Sequence, residues 1–174
     1  MAEAHPAGVN RSSARFTRAP SRAAPVLVAL LIALGLSGCG ITIPADPDGT
    51  LDAVTGAELR VGTSPDGDLV DVDGGDPSGP VVDLVDGFAA RVHADTRWTV
   101  ASEETLVTML EAGDLDLVAG GITADTPWID KAGVTRGYRG IDGADGREIV
   151  MLVPLGENAF LSALERFLDE EVGG

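Results

Sequence analysis

The sequence predicts an α/β domain over residues 58–174, with a mostly parallel sheet and helices on both faces. Three observations predict it. Short apolar strands alternate with amphipathic helices along the chain, the order that lays helices across both sides of a sheet. Leu115–Ala119 is a compact apolar stretch of the kind found in buried parallel strands. The last helix carries Phe160, Leu161, Leu164, Phe167 and Leu168 at helical spacing, one apolar face for one sheet. There is no internal repeat, and 174 residues suit a single domain.

The elements follow in order. Glu58–Gly62 alternates polar and apolar residues, as a short strand does. Thr63–Gly79, dense in Asp, Gly and Pro, is a loop. Val81–Val92 sets Val82, Val85, Phe88, Ala89 and Val92 at helical spacing, with Asp83 near the positive end of the helix. Arg97–Val100 is a second strand. Ser102 is an N-cap, Glu103 and Glu104 follow in the first turn, and Gly113 ends that helix. Leu115–Ala119 is the third strand, followed at once by Gly120-Gly121. Thr126-Pro127 opens a short helix, because proline suits the first helical turn. Gly133–Arg136 and Glu148–Val153 are the remaining strands, separated by a glycine-rich loop. The final helix begins near Asn158.

The first 57 residues read differently. Arg11, Arg15, Arg18 and Arg22 precede an uncharged apolar run, Pro25–Leu36. A membrane-spanning helix wants about 20 apolar residues. This run is shorter and has the proportions of a signal-peptide core. It ends in Leu36-Ser37-Gly38-Cys39, which looks like a bacterial lipobox. The resemblance implies cleavage of a signal peptide, residues 1–38, and lipid on Cys39. It further implies attachment to the outer face of a cell membrane. The stretch 39–57, with Pro44, Pro47 and Gly49, is expected to be a flexible tether.

Charge narrows the function. The chain carries −16 overall. Beyond residue 38 there remain 8 basic and 27 acidic residues, a balance of −19. Such a surface repels phosphate backbones, which argues against nucleic-acid partners. Cys39 is the one cysteine, so no intrachain disulfide forms. No Ser-His-Asp constellation is visible, and His93 is expected on a helix near its end, so the sequence reads as non-enzymatic. Nothing asks for a cofactor. The acidic loop Asp66–Asp76 lacks the glycine and glutamate of an EF-hand and is expected to be solvated rather than a metal site.

Three segments carry a further resemblance. They are Leu59-Arg60-Val61-Gly62-Thr63-Ser64-Pro65, Gly79-Pro80-Val81-Val82-Asp83-Leu84 and Gly113-Asp114-Leu115-Asp116-Leu117-Val118-Ala119-Gly120-Gly121-Ile122-Thr123. Together with the Thr-Arg-Gly-Tyr ending at Tyr138, they resemble the family-3 extracellular solute-binding proteins. The resemblance implies the type II periplasmic-binding-protein fold and a role beside an ABC-type importer. It departs from the family twice. That family builds a second lobe after the position of Tyr138, whereas here only Arg139–Arg147 lies between Tyr138 and the return strand. The expectation is therefore a single three-layer α/β/α lobe with the second lobe absent. The family's carboxylate-gripping arginine is also missing, with Trp128 in its place, and an indole cannot form a bidentate carboxylate pair.

In such sheets ligands sit beyond the carboxyl ends of the strands. The expected ligand contacts are Ser64, Pro65, Asp66, Gly121, Ile122, Thr123 and Trp128. Exposed backbone N–H groups beside a hydroxyl can hold a polar solute such as an amino acid, and Trp128 can stack on a ring or cover a cation. The same residues also serve plain structural roles, as turn glycines, a helix cap and a packed indole. Two functions therefore stand side by side. One is solute capture for an ABC transporter permease. The other is a surface module that keeps the fold without a ligand and docks on a transporter or sensor. A concave polar rim around Thr123 favours the first, and a flat dry one the second.

Overall fold

The computed structural model describes residues 46–173. The signal segment 1–38 and Cys39 lie outside the described residues. Ten short elements follow in order: α1 (Thr50–Val54), β1 (Glu58–Thr63), α2 (Pro80–Arg91), β2 (Asp95–Val100), α3 (Glu103–Glu111), β3 (Leu117–Val118), a 3₁₀ turn (Pro127–Asp130), β4 (Gly133–Val134), β5 (Leu152–Val153) and α4 (Asn158–Glu171).

The strands form one five-stranded sheet in the order β2-β1-β3-β5-β4. β1 lies parallel to β2, from Glu58 beside Asp95 to Thr63 beside Val100. On its other side β1 lies parallel to β3, with Val61 beside Leu117 and Gly62 beside Val118. β5 runs antiparallel to both β3 and β4, so it alone is reversed. A reversed β5 is what brings the last strand back between β3 and β4.

Side chains alternate across this sheet and feed two cores. Leu59, Val61, Leu117 and Val153 join Val85 and Phe88 of α2 and Phe160, Leu164 and Leu168 of α4 on one face. Val118 and Leu152 join Leu106, Val107 and Leu110 of α3 on the other. The result is the three-layer arrangement that the sequence predicts. Phe88 anchors the larger core, with its ring centroid 5.7 Å from Phe160 and 5.8 Å from Phe167.

Helix ends follow local chemistry. Ser102 accepts the N–H of Thr105 at 3.4 Å, and Glu103 and Glu104 sit in the first turn of α3. α2 starts on Pro80 and stops at Arg91. His93 therefore stands just past the helix rather than on it. It adopts a left-handed φ of 59°, and the next residue, Ala94, donates its N–H to Ala89 at 2.8 Å. That is the geometry in which helices usually use glycine.

Several expectations need correction. β3 spans only Leu117–Val118 where Leu115–Ala119 was expected, and β5 only Leu152–Val153 where Glu148–Val153 was expected. β2 begins two residues earlier than the sequence suggests, at Asp95. β4 stops at Val134 although Gly133–Arg136 was expected. The reason is Thr135, whose hydroxyl accepts the N–H of Met151 at 2.9 Å while its own N–H reaches Met151 O at 3.0 Å. A side chain thus replaces a backbone carbonyl and the ladder ends. A last correction concerns residues 46–57, expected to be part of a flexible tether. Thr50–Val54 is helical, with Thr50 and Val54 buried. Glu157 accepts the N–H groups of Asp48 and Thr50, both at 2.9 Å. Asp46 accepts the N–H of Leu51 at 2.7 Å and of Phe160 at 3.2 Å. Two carboxylates thus satisfy helix-end donors that the polar, proline-rich composition did not foretell.

Glu157 is 1% exposed. Burial alone pushes its carboxyl up, but the N–H donors from Asp48 and Thr50 outweigh that and hold it below the usual glutamate range.

Candidate functional site

Because β1 and β3 are parallel neighbours, their carboxyl ends open onto one rim. The loop after β1 and the loop after β3 meet there. A Cβ built on Gly120 would lie 3.5 Å from Ser64 O, 3.6 Å from Ser64 Oγ and 3.7 Å from Thr63 Oγ1. A Cβ on Gly121 would overlap the Asp66 carboxylate, 1.7 Å from Oδ2. Glycine is thus required at 121 for the Asp66 side chain to rest against this backbone. Thr63, Ser64 and Asp66 therefore surround the Gly120-Gly121 pair.

The Asp66 carboxylate does not stand alone. Arg147 grips it with both arms of its guanidinium, Nη2 to Oδ1 at 2.8 Å and Nη1 to Oδ2 at 3.2 Å. This hydrogen-bonded pairing raises the Arg147 pKa further above its ordinary value. Arg147 is further oriented by its own turn, since its N–H and Nε both donate to Ala144 O, at 2.9 and 3.2 Å. The turn carries Asp145 and Gly146 at φ 52° and 79°. Sequence reasoning missed Arg147 because its partner lies 81 residues away and only the folded connector unites them.

Thr63 Oγ1 is a second group beyond the sequence reading. Thr63 is fully buried at the end of β1, and its hydroxyl has no hydrogen-bond partner among the described residues. Buried polar groups without partners are rare and call for an explanation, such as a water or a ligand.

The remaining expected contacts divide. Ile122 is buried in the smaller core, and its carbonyl accepts the N–H of Val150 at 2.9 Å. Pro65 is exposed beside Asp66. Thr123 bridges to Ile149 and donates its hydroxyl to Asp125 at 2.5 Å. That bond, with a backbone donor, lowers the Asp125 pKa. Trp128 lies on the 3₁₀ turn, packs against the α3 core and donates its indole N–H to Glu103. The Lys131 ammonium sits 5.8 Å from its ring centroid. Ser64, Asp66 and Gly121 are thus brought together, while Trp128 is engaged with α3 and Lys131.

The connector closes the domain where another lobe was expected to be missing. Tyr138 pairs with Ile149 across it. Ile141 and Ala144 are buried in the larger core, and Arg139 pairs with Glu148 at 2.7 Å. The Tyr138 hydroxyl meets Glu165 O at 3.2 Å and Asp169 Oδ1 at 3.1 Å. Burial, reinforced by Asp169, pushes its pKa up to about 12. Among the described residues no cluster of three or more His, Cys, Asp or Glu side chains converges as a metal site, and the acidic loop folds instead as a hairpin pairing Asp71 with Ser78.

No protein-family model matches the chain, and no curated protein matches it. Solved structures do. The arginine-bound form of domain 1 from TmArgBP matches with a TM-score of 0.57 at 22% identity, over 65% of this chain and 92% of that one. A Salmonella typhimurium periplasmic binding protein of high arginine specificity matches with a TM-score of 0.56 at 12% identity, over 68% of this chain and 94% of that one. The ancestral amino acid-binding protein AncCDT-1, a precursor of cyclohexadienyl dehydratase, matches at 0.54 and 16%, over 70% and 92%. The structural neighbours are thus mostly amino-acid solute-binding proteins, and this chain shares the fold of a single domain of that kind.

Proposed function

We propose that the chain is a membrane-anchored, extracytoplasmic solute-binding lipoprotein that serves an ABC-type importer. Its rim at Ser64–Asp66 and Gly120–Thr123 takes a small polar solute such as an amino acid. One observation carries the reading: two loops converge on a glycine pair, Gly120 buried and Gly121 half-buried, with Thr63 and Ser64 against the first, Asp66 against the second and Arg147 gripping Asp66. The arginine-bound form of domain 1 from TmArgBP supports it, because there a single domain of this fold holds a solute. Cys39 in its lipobox-like setting supports the anchor. The −19 balance beyond the signal segment favours cationic or neutral solutes.

A second reading rests on its own observation. The most prominent polar side chains of the rim already have partners within the chain: Asp66 in Arg147, Thr123 in Asp125 and Trp128 in Glu103. A module that docks on a transporter or sensor without a ligand would show this. Calorimetric titration of the full chain in detergent micelles with amino acids and polyamines separates the two. Saturable binding supports solute capture. Heat no greater than dilution across the whole set supports the docking module.

A further inference from the structure

The ion pair on the rim has the geometry of a recognition event, with both participants supplied by the chain. A guanidinium offering two parallel donors is the preferred partner of any carboxylate, whether internal or dissolved. The Arg147 side chain is 37% exposed and that of Asp66 29%, so solvent reaches both. Arg147 is held ready by Ala144 O whether or not Asp66 stays. Asp66 rests against Gly121, and the next residue, Gly120, lies against the Ser64 hydroxyl and the buried, unpartnered Thr63 hydroxyl.

We propose that Arg147 is the carboxylate-binding residue of the rim and that Asp66 is an internal surrogate, occupying the guanidinium until a solute's carboxylate displaces it. The inference rests on reading the rim as a solute site. Its basis is the short connector of this chain: the arginine comes from the segment that spans Tyr138 to Ile149, not from the short helix where Trp128 stands. Displacement exchanges one carboxylate for another on the same two nitrogen donors, so the charge on the guanidinium's partner is unchanged. The released Asp66 turns to the water that already reaches its half-buried side chain. Binding is therefore a competition, and its strength depends on how firmly Asp66 holds.

The test uses the full chain in detergent micelles and the twenty proteinogenic L-amino acids, each beside the amine left by removing its carboxylate. The tightest amino acid is expected to bind at least about tenfold better than its amine. Arg147→Gln is expected to erase that advantage, so that the amino acid binds no better than its amine. Arg147→Lys, which keeps the charge but not the fork, falls between, and thermal melts confirm that each variant is folded. Asp66→Asn is expected to tighten amino-acid binding severalfold, because the competitor is weakened. Amino-acid binding that survives Arg147→Gln, or that weakens in Asp66→Asn, overturns the inference and leaves the solute reading standing. Absence of binding by every amino acid overturns both.

Discussion

Tyr138 and Ile149 exchange both backbone hydrogen bonds, Tyr138 N–H to Ile149 O at 2.8 Å and Ile149 N–H to Tyr138 O at 3.0 Å. The pair closes the connector on itself and hands the chain back to the sheet it left. β5 then inserts between β3 and β4. The same connector carries Arg147 to Asp66, on the rim beyond β1 and β3.

The docked N-terminal segment gives the first prediction. A chain starting at Glu58 loses buried Val54 and leaves the Glu157 carboxylate without its two N–H donors. Relative to a chain starting at Asp46, it should be less stable by roughly 2–5 kcal/mol. Urea denaturation of the two forms measures this. Equal midpoints would show that the segment adds nothing to the fold.

Glu157 also makes stability depend on pH. Its folded pKa lies below the ordinary value, so the carboxylate stabilises fully above an unfolded pKa of about 4.3. That contribution is lost as pH falls through the lower folded value. Glu157→Gln should cost about 1–3 kcal/mol near neutral pH. The gap between variant and wild type should narrow on acidification below about pH 4, because protonation removes the wild type's advantage. Denaturation across pH 3–7 checks the sign (the window follows from the ordinary glutamate pKa). A gap that widens in acid would contradict it.

Gly62 is in the centre of the sheet. A methyl there would meet Leu106 Cδ2 and Leu115 Cδ1, each at 2.7 Å. Both are fully or almost fully buried, so neither has room to turn away. Gly62→Ala should destabilise by about 1–3 kcal/mol through overpacking. A thermal melt unchanged from wild type would show that the α3 core is looser than described.

Gly121→Ala should behave differently. The added methyl collides with the Asp66 side chain, whose carboxylate is the far end of a half-buried group. Asp66 is expected to swing out and release Arg147, with stability changing by no more than about 1 kcal/mol, as for other exposed ion pairs. The Arg147 Nη–H resonances, the groups that hold Asp66, report the release directly. Resonances that stay in place would mean that Asp66 and Arg147 do not meet as the structure has them.

Much of the fold was legible because local chemistry and tertiary packing agree. Ser102, Pro80 and Gly113 mark helix ends by their own backbone preferences, and the apolar spacing of Val85 to Phe88 and of Phe160 to Leu168 matches the buried faces. What escaped was non-local. Nothing near Asp48 or Thr50 announces that Glu157 will accept their N–H groups, 109 and 107 residues on. The early end of β4 depends on the rotamer of Thr135, which no pattern of apolar residues encodes. At the rim, the Ser64, Asp66 and Gly121 grouping was readable from the parallel pairing of β1 and β3. Arg147 was not, because the path of a glycine-rich connector is set by where its ends dock. Trp128 was readable as an aromatic on a short helix, but not its engagement by Glu103 and Lys131.

The central claim is that one lobe, closed by its own connector, presents a solute-binding rim. Amide NMR of the full chain in detergent micelles, titrated with amino acids and polyamines, tests it most directly. The account predicts saturable shifts that cluster on Ser64, Asp66, Gly120, Gly121 and Thr123, with the Arg147 Nη–H groups moving in step. Saturable shifts gathered elsewhere on the domain, or none with any solute, would contradict it.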